Sequence, residues 1–115
     1  MDPHQCEVVT ALSTFVGKWK PLILLHLFVE GTLRFNELRR RIPDIKQRML
    51  TLHLRELEEQ DLIKRVVYAQ VPPKVEYSLT EYGKTLGPLM EALHEWGENH
   101  IKHLENKKSS PFTKM

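Results

Sequence analysis

At 115 residues, 41% of them apolar, the chain can fill one hydrophobic core and not two. With 28% charged residues and a formal net charge of +2, composition alone does not announce a polyanion partner, and the single cysteine, Cys6, excludes an internal disulfide and an all-cysteine metal cage. The N-terminus lacks a basic region followed by an apolar stretch, and the longest apolar run, Pro21 to Leu25, is far short of the roughly 20 residues a spanning helix needs, so a cytoplasmic chain without a membrane partner is expected.

Apolar positions Val8, Val9, Leu12 and Phe15 recur at helical spacing and predict a short first helix from Cys6 to Phe15, interrupted by Gly17. Pro21 suits the first turn of a second helix, which Leu22, Ile23, Leu25, Leu27 and Phe28 continue to Gly31. It is apolar on most sides and is expected to be central. Phe35, Leu38 and Ile42 define a short third helix ended by Pro43. After a turn from Ile42 to Ile45, with Asp44 as the expected N-cap, a fourth helix runs from about Lys46 to Gln60 with Met49, Leu50, Leu54 and Leu57 facing inward.

Two strands follow, Leu62 to Ala69 and Val75 to Leu79, the second alternating apolar and polar residues; the tip from Gln70 to Lys74 holds Pro72 and Pro73 and cannot continue the ladder. Thr80 is a good N-cap for a last helix. There Leu86, Leu89, Met90, Leu93, Trp96, Ile101 and Leu104 return every three or four residues, too apolar a pattern for a lone surface helix. Together with Leu12 of the first helix, these residues are expected to build a homodimer interface. Residues 106–115 read as a disordered polar tail behind a single domain, 1–105.

The order helix, turn, helix, β-hairpin predicts a mainly α fold with a small β-hairpin wing, a winged helix-turn-helix that docks on double-stranded DNA. Ten of the seventeen Lys and Arg residues fall between Arg34 and Lys74, where that motif lies, and there they exceed the acidic residues. On the outward side of the fourth helix, Gln47 can pair bidentately with adenine, Arg48 with guanine, and the Thr51 methyl can meet a thymine methyl. These three are the base-reading candidates, with His53 on the flank. Arg34, Arg39, Lys46, Arg55, Lys64, Arg65 and Lys74 are the candidates for the DNA backbone. Not all of Arg34, Arg39, Arg40 and Arg41 can face one way; some are expected to pair with Glu37 or Asp44.

Cys6 begins a helix whose dipole favours a thiolate, which Glu7 opposes; it reads either as an inert thiol or as a redox sensor. The six histidines form no convincing metal set, and no phosphate loop, nucleophile elbow or acid–base pair is present, so neither an enzyme, a metal site nor a cofactor is expected. A winged-helix module for protein interaction is the alternative from another class. A small-molecule pocket lined by Trp19, Phe28, Tyr68 and Trp96 at the dimer interface is a further one.

From Cys6 to about Trp96 the chain resembles the HxlR-type regulators, a branch of the MarR-like winged-helix transcription factors. The blocks that carry the resemblance are the early cysteine, GKWKPLILLHL from Gly17, RFNEL from Arg34, IPDIKQRMLTLHLRELEEQDLIKR from Ile42, VPPKVEYSLTEYG from Val71, and Trp96. The resemblance implies a homodimer built by the first and last helices, two recognition helices on a pseudo-palindromic operator, and control of nearby genes. It also implies that Cys6 can act as a sensor, since the family includes members that detect electrophiles, quinones or oxidants at the equivalent cysteine. Two positions depart from the family pattern: Lys46, where a Ser usually begins the recognition helix, and Gln60–Asp61, where an acidic residue and a Gly are common.

Overall fold

The computed structural model describes residues 7–15 and 17–109. The elements run α1 (Glu7–Phe15), α2 (Trp19–Glu30), β1 (Thr32–Arg34), α3 (Phe35–Arg41), α4 (Gln47–Glu59), β2 (Ile63–Tyr68), β3 (Lys74–Leu79), a 3₁₀ turn (Gly83–Leu86) and α5 (Gly87–Ser109). This is the expected mainly α winged helix-turn-helix, divided into two compact units between Lys84 and Thr85. No single helix among the described residues is long and apolar enough to cross a membrane.

In the first unit, the three strands form an antiparallel sheet in the order β1-β3-β2. The sequence reading anticipated β2 and β3 but not β1. Three residues carry no readable period of their own; β1 exists because Leu33 pairs with Tyr77 across the sheet and is itself buried.

The core is the meeting of Ile23, Leu24 and Leu27 on α2, Leu38 on α3, Leu50, Leu54 and Leu57 on α4, and Ile63 on β2, all fully buried. Its neighbours α3, α4, β1 and β3 all pack on α2, which is central as expected, although Leu22, Leu25 and Val29 lie exposed on its other side. Ile42 and Ile45 are buried at the two ends of the turn between α3 and α4, and Ile45 N–H donates to the Ile42 carbonyl at 3.2 Å, so the helix-turn-helix is anchored by its own apolar ends.

α4 is held by packing rather than by local signals. Lys46, not Asp44, occupies the N-cap with an extended backbone and no side-chain cap bond, so Asp44 lies in the turn and leaves the helix start uncapped. Glu56, Glu58 and Glu59 also sit at the helix's negative end. Each such charge costs about 0.3–1 kcal/mol. Burying each of Leu50, Leu54 and Leu57 gains about 1.5–3 kcal/mol, which outweighs those costs.

At its other end α4 closes in a Schellman turn. Leu62 N–H donates to the Leu57 carbonyl and Asp61 N–H to the Glu58 carbonyl, both at 3.0 Å, with Asp61 at a φ of 61° where Gly is usual. The departure from the family pattern is therefore accommodated: aspartate is one of the few side chains that tolerate this left-handed conformation.

Thr80 caps the 3₁₀ turn and not α5: its Oγ1 accepts from Gly83 N–H at 2.8 Å and donates to the Asp61 carbonyl at 2.6 Å. A different break in the pattern thus falls before α5, which begins only at Gly87 and continues to Ser109, past the expected end at Glu105. Residues 110–115 of the expected tail lie outside the described residues, as does Cys6.

Candidate nucleic-acid interface

The side of α4 away from the core collects the three expected base-reading residues and one of the expected backbone contacts. Gln47, Arg48, Thr51 and Arg55 line one open concavity of about 650 Å³ together with Leu52. The steps from 47 to 51 to 55 repeat every four residues, which stacks those three side chains along one helix face. Leu50, Leu54 and Leu57 fix the opposite face, so the rotation of the helix is set by the core.

Thr51 Oγ1 donates to the Gln47 carbonyl at 3.0 Å. Its hydroxyl proton is thereby engaged within the helix, so toward a partner Thr51 offers its methyl and an acceptor oxygen. Leu52, 49% exposed, has no place in the sequence reading, which searches the outward face only for polar residues that can bond a base or phosphate. Met49, expected inward, is 39% exposed. Its neighbour Leu50 takes the core position.

The first turn of α4 holds no acidic residue, and Lys46 and Arg48 flank its positive dipole end. Anions are favoured there by backbone and side chain together. Acidic groups gather at the far end, where Glu56 lies 3.6 Å from Lys20 Nζ of α2 and 3.3 Å from His53 Nδ1. His53 is therefore turned toward Glu56 rather than out on the reading flank, and its side chain is largely covered.

On α3, Arg41 is committed internally. Its Nε lies 3.5 Å from Glu30 Oε1 and its Nη1 donates to the Glu37 carbonyl at 3.2 Å, tying α3 to α2. The acidic partner is Glu30, not the expected Glu37 or Asp44, because Glu37's carboxylate accepts the Arg34 backbone N–H at 2.8 Å and closes the start of α3. Arg34, Arg39, Arg40 and Lys46 are exposed. Lys64 and Arg65 are adjacent on β2 and so project to opposite faces of the sheet; Lys64 lines a second concavity, about 390 Å³, with Ser78, Glu81 and Lys84. Of the four aromatic residues expected to share a ligand pocket, Phe28 alone lines that concavity. Lys74, at the base of the wing tip, lies 3.8 Å from Glu76.

On α5, taken by itself, Leu89, Leu93, Trp96, Ile101 and Leu104 are exposed and Met90 half-buried, an apolar stripe with Trp96 at 66% exposure and stacked on His100; Leu86, expected on the same helix, is half-buried in the 3₁₀ turn before it. Leu12 of α1 is exposed as well. No group of three His, Cys, Asp or Glu among the described residues is arranged to hold a metal ion.

The sequence and fold are similar to those of known proteins. The HxlR-like helix-turn-helix family matches residues 14–105. The chain is 50% identical to the HTH-type transcriptional regulator YybR of Bacillus subtilis (strain 168) over 109 residues, 95% of this chain and 86% of that protein. Among solved structures it is similar to the redox regulator HypR. The reduced form is 51% identical with a TM-score of 0.82, covering 88% of this chain and 99% of HypR. The oxidised form is 54% identical with a TM-score of 0.76, covering 82% and 96%. The reduced form of the transcriptional regulator YodB from B. subtilis is 35% identical with a TM-score of 0.73, over 85% and 92%.

Proposed function

The chain belongs to the HxlR-like helix-turn-helix family of transcriptional regulators, which are not enzymes, and from that premise we propose that it binds duplex DNA as a cytoplasmic homodimer, one α4 in each half-site of a pseudo-palindromic operator. One observation carries this reading: Gln47, Arg48, Thr51 and Arg55 share the free face of a helix whose other face is locked into the core. That is what base readout needs, since the reading side chains must be held in register by something rigid. Gln47, Arg48 and Thr51 read bases, joined by the Leu52 side chain as an apolar contact. Arg34, Arg39, Lys46 and Arg55 meet phosphates, with Lys64, Arg65 and Lys74 serving the wing side.

The dimer is supported by the apolar stripe of α5 and the exposed Leu12, which a second copy would cover. The interface residues are Leu12, Leu86, Leu89, Met90, Leu93, Trp96 and Ile101.

Replacing Arg48 by Ala is expected to cost about 1–3 kcal/mol on the operator and to relax preference at one base position. Competition binding against single-base operator variants measures it. An equal loss on operator and random duplex would remove Arg48 from the reading set.

A second layer of the proposal is signal input through Cys6, supported by the similarity to HypR, known in oxidised and reduced forms. Attack of the Cys6 thiolate on an electrophile, or its oxidation, would shift the balance between DNA-competent and incompetent dimers. Operator affinity of the wild type is expected to change on treatment with a thiol oxidant, and that of Cys6→Ser to stay fixed. An identical response in both proteins would send the input elsewhere.

A further inference from the structure

The outer face of the wing carries a charge arrangement that base reading does not use. Lys74 and Glu76 stand two residues apart on β3 and so share a face of the sheet. Across the ladder, Tyr68 is opposite Lys74, while Val66 and Arg34 flank Glu76 on either side. Lys74 Nζ lies 3.8 Å from Glu76 Oε2 and 4.7 Å from the centre of the Tyr68 ring, and the lysine and glutamate side chains are only 27% and 23% exposed. The same carboxylate acts on the Tyr68 hydroxyl: hydrogen bonding to Glu76, and then its charge, push the phenol above its ordinary value. The other charged residues on this face of the three strands, Arg34, Lys64 and Lys74, are all basic.

Resting on the DNA-binding reading, we propose that Glu76 is a positioning residue of the wing: it holds the Lys74 ammonium down on the Tyr68 ring and so restrains the wing's contact with phosphate. A lysine in that position must leave a carboxylate and an aromatic face before it can meet a DNA phosphate. Phosphate contacts carry no sequence information, so the restraint sets how tightly the protein holds any duplex and leaves base preference alone. The consequence is a regulator whose non-specific binding is weaker than its wing lysine would otherwise make it.

The test is salt-dependent binding of Glu76→Gln, Lys74→Ala and the double variant to a random-sequence duplex, with the operator alongside. Glu76→Gln is expected to tighten both duplexes equally, by roughly three- to fivefold, and to steepen the salt slope by about one counterion. In the Lys74→Ala background most of that gain should vanish. Equal tightening with and without Lys74 would mean that the carboxylate merely repels phosphate, and unchanged or weaker binding by Glu76→Gln would overturn the restraint altogether. The clamp is also readable without DNA: the Tyr68 phenol titration, identified by its loss in Tyr68→Phe, should fall in Glu76→Gln. A phenol that does not move removes the clamp. If the clamp is present but the wild type shows no salt-dependent binding to any duplex, the DNA-binding reading itself is what fails, and the restraint falls with it.

Discussion

Replacing Gly83 by alanine is expected to destabilise the chain by about 3 kcal/mol, lowering the melting temperature by roughly 10 °C. A Cβ at Gly83 would overlap the backbone carbonyl oxygen of Leu62 and lie 2.9 Å from its carbonyl carbon. Backbone atoms cannot swing aside as a flexible side chain can. The Leu62 carbonyl also accepts the Thr80 N–H at 3.1 Å, and Leu62 and Ile63 are buried, so moving it breaks a hydrogen bond and disturbs the junction of α4 with β2. The neighbouring Lys84→Ala, at an exposed side chain, should change stability by less than about 0.5 kcal/mol. Thermal or urea unfolding of both variants measures the difference. A Gly83→Ala protein as stable as the wild type would mean that the close approach of the 3₁₀ turn to Leu62 is not present in solution.

Placing a charge in the α5 stripe should have the second large effect, on assembly rather than folding. Leu93 is 48% exposed in the single chain and is not one of the buried core residues, so Leu93→Asp should cost the single chain little. If the stripe is the seam between two copies, the same aspartate becomes a buried, unpaired charge, which costs about 3–5 kcal/mol. Sedimentation should then find monomer at concentrations where the wild type is dimeric. Operator affinity should fall by roughly a hundredfold or more, because two half-site contacts no longer act as one linked event. A Leu93→Asp protein that remains dimeric would place the seam elsewhere, and the exposed Leu22, Leu25 and Val29 of α2 would be the next face to alter.

Much of this molecule was legible in the sequence where local periodicity and tertiary packing agree. The leucines of α4 repeat at 3.6 residues, and Val75, Tyr77 and Leu79 alternate, so α4 and the wing are placed by local pattern alone. Readings failed where the deciding contact is distant in sequence. β1 depends on pairing with Ser78, Tyr77 and Glu76, and Thr80 is claimed by Asp61 and Gly83 rather than by the last helix. Asp44 looked like a cap because Asp is a good cap, yet Ile45 must reach the core and shifts the helix start past it. In the candidate interface, Gln47, Arg48, Thr51 and Arg55 are found by exclusion from the apolar face; that same rule misplaces Met49 inward, and a search for polar outward residues passes over Leu52. Arg41 was recognised as one of four arginines that cannot all be free, but its partner Glu30 belongs to another helix and could not be read from spacing.

The most direct test of the central claim is fluorescence anisotropy of the reduced protein on a labelled duplex from the region upstream of its own gene, against random duplex, over a range of salt. Tight binding that prefers the upstream duplex, weakens steeply with salt and saturates at two chains per duplex is the result expected of a dimeric regulator reading DNA through α4. Absence of salt-dependent binding to either duplex would contradict it and turn the basic surface toward an acidic protein partner.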